Sequence, residues 1–333
     1  MAKKKSLPGD VVVGIDLGGT KILAAVIDDQ GRILGQAKRK TKAEAGVEGV
    51  VARIVETVDE AVANAKLTRK DVRAIGIGAP GPVNTETGTV ATAPNLPGWS
   101  NVPLGELIQA QTGIPTAIGN DVNVAALGEF TYGAGRGTSD MISLFVGTGI
   151  GGGIILNGQL RVGARGAAGE VGHMVVLADG PYCGCGNRGC IEALASRTAI
   201  VESLQRAVAA GRQSSLAELL NQGGSRLSSN ALAEAWRAGD ALTVEVLGRA
   251  QYYLGLHIAN IVNLLDPEAI VLGGGVIEAL GEAFVAPIRP IAYQHFLQRY
   301  DADRVAIIVS QLGDNAGILG AAVLARQRLR AVA

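Results

Sequence analysis

The sequence predicts an α/β protein built from two copies of one unit, and three observations carry that prediction. An order of strand, glycine turn, strand, polar turn and strand runs through residues 11–34 and returns in residues 141–162, about 130 residues later. Elsewhere the apolar residues change from short unbroken runs to the three- and four-residue spacing of helices. At 333 residues the chain is long enough for two ordinary domains with sizeable cores, each opened by one copy of the repeat.

Taken in order, residues 11–17 form a β-branched run, Gly18-Gly19-Thr20-Lys21 a turn, residues 22–27 a second apolar run, and Asp28-Asp29-Gln30-Gly31 a polar turn before a third strand from Ile33. This is an antiparallel meander, not the strand-to-helix start of a Rossmann or P-loop unit. Apolar residues at 47, 50, 51, 54, 58, 61 and 62 mark a helix. Residues 74–79 read as a strand ending in Pro80-Gly81-Pro82, where helix is excluded. Residues 94–99, P-N-L-P-G-W, form a loop, followed by a helix around 104–111 and a strand at 115–118. That strand delivers Gly119-Asn120-Asp121-Val122-Asn123 at its carboxyl end, where α/β folds place ligands.

The second meander comprises a strand at 141–146, a glycine turn over 147–153, a strand at 154–156, the turn Asn157-Gly158 and a strand at 159–162. A long buried helix follows over 242–265 and stops at Asp266-Pro267. The strand at 269–272 runs into Gly273-Gly274-Gly275, and a strand at 305–309 and a helix at 316–329 close the chain.

Composition excludes several classes. Thirty basic and thirty acidic residues give no electrostatic reason to expect a nucleic-acid or acidic-membrane partner. The charge run Lys3-Lys4-Lys5 reads as a solvated start. The first apolar stretch is interrupted by Asp16 and the glycine turn, so it is neither a signal-peptide core nor a membrane span, and a cytoplasmic location is expected. The 47 glycines, about twice the usual share, gather at the ends of apolar runs, where backbone can approach a ligand.

Three glycine turns follow apolar strands: Gly18-Gly19-Thr20, the run opening Gly147-Thr148-Gly149, and Gly273-Gly274-Gly275. Exposed amides with threonine hydroxyls beside them cradle phosphate oxygens. Asp16 stands on an otherwise apolar strand beside the first turn, as a partner for Mg²⁺ and its waters or as a turn cap. Asp121 suits a general base, or a helix cap.

Residues 169–192 hold Glu170, Glu192, His173 and all three cysteines, Cys183, Cys185 and Cys190. An odd, tightly spaced set does not suit a disulfide framework. Three thiolates and an imidazole match tetrahedral Zn²⁺, and four protein ligands leave no open position, so such a metal is structural; three free thiols are the alternative. The two carboxylates can accept from sugar hydroxyls or form surface ion pairs. His257 and His295 read as structural.

With these residues in view, the chain resembles the bacterial ROK-family sugar kinases, most closely the ROK glucokinases, over nearly its whole length. The resemblance rests on D-L-G-G-T-K at 16–21, G-A-P-G-P-V at 78–83, P-N-L-P-G-W at 94–99, G-N-D-V-N at 119–123, G-T-G-I-G-G-G at 147–153, G-E-V-G-H at 169–173, C-G-C-G-N-R-G-C-I-E at 183–192 and G-G-G-V at 273–276. It implies a duplicated actin-like, ribonuclease-H-like fold with a cleft between two domains, 1–120 plus 312–333 and 121–311. It also implies that Asp121 takes the proton of a sugar 6-hydroxyl, while Asn95, Asn120, Glu170, His173 and Glu192 hold other hydroxyls. His173 would touch sugar and zinc with different ring nitrogens. Asp16, Gly18, Gly19, Thr20, Lys21, Gly147, Thr148 and Gly149 would serve the phosphates of Mg-ATP, and Gly273, Gly274 and Gly275 would border the adenosine. Asn187 stands where the family often has Gln, which changes no expectation. ROK repressors carry a DNA-binding module before the first strand, and only about ten residues precede it here.

The expected activity is ATP-dependent phosphorylation of glucose, in a homodimer or homotetramer by family analogy. Alternatives are kinases of N-acetylglucosamine, N-acetylmannosamine, mannose or fructose, a polyphosphate-dependent glucokinase, a sugar-sensing regulator, and a chaperone-type ATPase of the same fold.

Overall fold

Strands β1 (Val12–Leu17), β2 (Lys21–Ile27) and β3 (Ile33–Lys40) form the antiparallel meander expected from the apolar runs, with Asp16 opposite Leu23. The computed structural model describes residues 10–93, 95–222 and 227–332; Lys3-Lys4-Lys5 and Pro94 lie outside them. β4 (Ala74–Ala79) pairs in parallel with β1, and a small antiparallel sheet of β5 (Val83–Asn84), β6 (Thr89–Thr92) and β7 (Ser100–Val102) follows. β8 (Thr116–Asn120) then completes the first large sheet in the order β3-β2-β1-β4-β8. β1 and β4 lie inside that sheet, which is why both read as mainly apolar runs, broken in β1 by Asp16, rather than as alternating ones.

The second large sheet contains β9 (Met141–Val146), β10 (Ile150–Leu156), β11 (Gln159–Leu160), β12 (Ala269–Gly273) and β13 (Ala306–Val309), in the order β11-β10-β9-β12-β13. Antiparallel pairing of the first three strands and parallel addition of the last two match the first sheet step for step. The repeat therefore extends beyond the meander to the whole sheet, and the chain has the two-domain, actin-like α/β architecture.

Helices α1 (Gly46–Asn64), α2 (Leu104–Thr112) and α3 (Asp121–Tyr132) belong to the first half. Then come α4 (Glu192–Ala195), α5 (Arg197–Ala209), α6 (Ala217–Asn221), α7 (Ser229–Arg237), α8 (Ala241–Leu265), α9 (Gly275–Leu280), α10 (Glu282–Val285), α11 (Ile288–Gln294) and α12 (Ala316–Val332). The predicted stripe of α1 is buried at Val50, Val51, Ile54, Val58, Ala61 and Val62. Asp240 caps α8 by accepting from the Thr243 amide, and Asp266 ends that helix in the left-handed region before Pro267. No described helix is long and apolar enough to cross a membrane. His257 is fully buried on α8, where burial pushes its imidazole down to about 4 and keeps it neutral, and its two ring nitrogens have no hydrogen-bond partner among the described residues.

Three expectations change. The second glycine turn is shorter than residues 147–153, because β10 already begins at Ile150. Gly151 and Gly153 are strand residues against which α3 packs: a Cβ at Gly151 would come within 2.9 Å of Val122, and one at Gly153 within 2.4 Å of Ala126. These glycines let a helix approach the sheet and do not line a turn. The strand expected at 159–162 stops at Leu160, before Gly163 turns the chain away with φ 75. The third glycine run is not a separate turn but is divided between elements: Gly273 ends β12, Gly274 has φ 85, and Gly275 opens α9.

The last helix, α12, packs on β1, β4 and α3. Its approach is held by Glu129, a fully buried carboxylate near the end of α3. Oε1 of Glu129 accepts from the amides of Gln311 (3.1 Å) and Leu312 (2.8 Å), and Oε2 accepts from the amide of Ala134 (2.9 Å). One buried side chain thus satisfies two backbone donors ahead of α12 and one just past the end of α3.

Candidate active site and metal centre

The junction of β8 and α3 separates two roles that the sequence leaves open. Asn120 is the cap: its Oδ1 accepts from the amides of Val122 and Asn123, both at 3.1 Å. Its Nδ2 donates to Gly81 O and to Asp121 Oδ1, again at 3.1 Å. Asp121 Oδ1 also accepts from the Val122 amide at 2.9 Å, so these two hydrogen bonds engage one and the same oxygen. Burial raises the Asp121 carboxyl to about 6, and the charge of Asp16 pushes in the same direction. A carboxylate that changes protonation near neutrality is suited to taking a proton from a hydroxyl.

Beside this junction lies a cavity of about 370 Å³. Its walls bring together Asn120, Glu170, His173 and Glu192 with Gly147, Gly149 and Gly274. The glycine turn and the 169–192 stretch are joined by Glu192, whose Oε2 accepts from the Ile150 amide at 2.9 Å. Gly149 makes this contact possible, since a Cβ there would come within 2.3 Å of that oxygen. Asn123, for which no role was expected, also lines the cavity, and its Oδ1 is buried with no partner among the described residues. Its i, i+3 spacing from Asn120 is the signal that places both on one face of the helix start.

Other expected residues do not line this cavity. Asp121 lies behind Asn120, over Gly78 of β4, which pairs with Asp16 of β1. Asn95 packs against the first turn, where a Cβ on Gly19 would come within 2.8 Å of the Asn95 Cβ. Gly18 closes that turn by donating to Lys21 O at 2.9 Å, and the backbone oxygen of Thr20 accepts from the Thr41 amide. Burial raises the Asp16 carboxyl, which Lys21 opposes and Asp314 reinforces. The Lys21 ammonium donates to Asp314 at 3.1 Å, an exposed ion pair. Thr148, Gly273 and Gly275 also lie outside the cavity walls, while Gly274 crosses the Val146 backbone at 2.8 Å from the place its Cβ would take.

His173, Cys183, Cys185 and Cys190 offer four ligand atoms that all lie within 4.8 Å of one another. Among the described residues this is the group of His, Cys, Asp and Glu that could hold a metal. Cys185 Sγ and Cys190 Sγ are 3.8 Å apart, and Cys183 Sγ is 3.6 Å from His173 Nδ1. Tetrahedral zinc with Zn–S of about 2.3 Å and Zn–N of about 2.05 Å requires ligand separations of about 3.8 and 3.6 Å. Burial pushes the Cys183 thiol up to about 12 and raises Cys190, so thiolates there need a cation to compensate them. Donor set and spacing both fit Zn²⁺. The other histidine nitrogen, Nε2, lies 3.9 Å from Glu170 Oε2, so His173 connects the cysteine knot to the cavity wall.

Residues 12–328 match the model of the ROK family. The chain is 36% identical over 323 residues to a glucokinase of Thermotoga maritima, covering 97% of this chain and 99% of that protein. Its structure resembles a ROK hexokinase from Thermus thermophilus at TM-score 0.81 and 35% identity, covering 96% and 99% of the two chains. It also resembles a ROK family glucokinase from Streptomyces griseus in complex with glucose and AMPPNP, at TM-score 0.80 and 38% identity, covering 95% and 99%.

Proposed function

This chain belongs to the ROK family, and from that premise we propose that it is an ATP-dependent glucokinase, transferring the γ-phosphoryl group of ATP to the 6-hydroxyl of glucose. One observation carries the proposal: a buried aspartate poised near neutrality stands behind a cavity whose polar walls join a glycine turn to Glu170, His173 and Glu192. The likeness to proteins named glucokinase, one holding glucose and an ATP analogue, supports this choice of substrates.

In the proposed reaction the sugar lies against Asn120, Glu170, His173 and Glu192, with Asn95 entering from the first-turn side. The Asp121 carboxylate accepts the 6-hydroxyl proton as the hydroxyl oxygen attacks the γ-phosphorus. The bond from phosphorus to the β-phosphate oxygen breaks, so ADP leaves and glucose 6-phosphate remains. The amides of Gly19 and Thr20 on one sheet and of Thr148 and Gly149 on the other hold phosphate oxygens, while the Gly18 and Gly147 amides close their turns by donating to Lys21 O and Gly149 O, and Lys21 adds charge. Gly273, Gly274 and Gly275 border the adenosine. Mg²⁺ accompanying ATP would be held near Asp16 and would neutralise phosphate charge. Zn²⁺ in the His173 and cysteine set would act structurally, fixing where Glu170, His173 and Glu192 meet the sugar. Most of the acceleration comes from positioning and electrostatics, as an in-line phosphoryl transfer requires.

The test is a coupled assay of ADP formation over glucose, mannose, fructose, N-acetylglucosamine and N-acetylmannosamine, repeated with polyphosphate as donor and sugar phosphate detected directly. Glucose with ATP should give the highest kcat/KM. Turnover confined to another sugar would reassign the substrate, and sugar binding without turnover would point to a sensor.

A further inference from the structure

We propose that Arg197 is the phosphate-binding cation of the second glycine turn, taking the place that Lys21 holds in the first; this rests on the reading of both turns as ATP sites. The two copies of the repeat align residue by residue, because each central strand of six residues is followed by a three-residue turn. Gly18-Gly19-Thr20 matches Gly147-Thr148-Gly149, and the first residue of the next strand is Lys21 in one copy and Ile150 in the other. The second copy therefore lacks the built-in cation of the first.

Arg197, the first residue of α5, supplies it from outside the meander. Its Nη2 donates to Thr148 Oγ1 at 2.8 Å, and its amide donates to Gly147 O at 2.9 Å. The turn is also held by Thr198 Oγ1, which donates to Thr148 O at 2.8 Å. Backbone and threonine contacts thus already fix the turn to the helix, and the guanidinium is not needed as a strut. It has five N–H donors, of which one is engaged among the described residues.

The position is also a poor one for a cation unless an anion comes to it. α5 has 13 residues and a capped N-terminus, where Ser196 accepts from the Ala199 amide. A positive side chain at that end opposes the helix dipole. Among the described residues Arg197 has no carboxylate partner, whereas Lys21 is paired with Asp314. A terminal phosphate between the turns would meet the α5 dipole, the Arg197 fork and the turn amides together.

The test compares wild type, Arg197→Gln and Arg197→Lys by calorimetric titration with AMPPNP, AMP and glucose. Arg197→Gln should weaken AMPPNP about 30-fold, the size of a lost charge-assisted hydrogen bond. AMP should change less than about threefold and glucose not at all, since the contact depends on terminal phosphates and is absent from the sugar site. Arg197→Lys should recover part of the loss, because it restores charge without the fork. Wild-type affinity of Arg197→Gln for AMPPNP, or equal losses for AMP and AMPPNP, would overturn the assignment in favour of a structural role. Wild type that binds AMPPNP in this phosphate-dependent way but turns over no sugar would remove the kinase reading and leave this one. Absence of AMPPNP binding to wild type would overturn both.

Discussion

The Asn120 side-chain amide donates to Asp121 Oδ1 at 3.1 Å while the Asn120 carbonyl oxygen caps α3. One residue thereby fixes both the helix start and the orientation of its acidic neighbour. Asp121→Asn should lower kcat by about 10²- to 10⁴-fold, the usual worth of a positioned base. Glucose affinity measured by titration should stay within a few fold. Turnover near the wild-type rate would remove Asp121 from the base role.

The pH dependence follows from the same carboxyl. Burial, and then Asp16, raise it to about 6 from an ordinary 3.8. The base must be ionised, so kcat/KM for glucose should be level above about pH 7 and fall about tenfold per unit below about pH 6. A plateau reaching down to pH 4.5, on enzyme shown to remain folded, would contradict the raised value.

The cysteine knot makes a prediction independent of catalysis. Metal analysis of protein purified without added zinc should find about one Zn²⁺ per chain, as the four-ligand set requires. Cys185→Ser should reduce the bound metal, lower Tm and raise KM for glucose together, because the knot carries His173 and adjoins Glu192. Metal-free enzyme with unchanged KM for glucose would separate the knot from the sugar site.

Glu129→Ala would leave the amides of Ala134, Gln311 and Leu312 without their acceptor in a buried setting. Each orphaned buried donor costs about 1–3 kcal/mol, and shared relaxation makes the sum less than additive, so a loss of about 3 kcal/mol is expected. Thermal and denaturant unfolding would measure it. A change below about 0.5 kcal/mol would mean that Glu129 is not the clasp on α12.

Much of the fold was legible because its signals are local. β4 and β9 have the bounds read from their apolar runs, and the stripe of α1 is buried where its spacing predicts. The misreading of Gly151 and Gly153 has a physical cause. Glycine is favoured both in tight turns and where another backbone comes close, and the approach of Val122 and Ala126 on α3 is invisible in the local sequence. In the site, the four zinc-type ligands were legible from residue type and spacing, and Asn120, Glu170, His173 and Glu192 from the family resemblance, whereas the place of Asn123 in the cavity wall, and of Asp121, Asn95 and Thr148 outside it, was not.

By itself, then, the sequence determined the strand and helix periods, the doubled meander, the glycine turns and the soft-ligand set, since each depends on backbone preference or side-chain chemistry over a few residues. Tertiary structure decided what distance along the chain conceals. It gave Asn120 the cap and left Asp121 buried and raised toward neutrality, because desolvation depends on what packs around a group. It brought Arg197 to Thr148, 49 residues away, and Glu129 to Leu312, 183 residues away. Such contacts exist only once the sheets and helices have packed, and their energies come from removing water from groups that the unfolded chain leaves solvated.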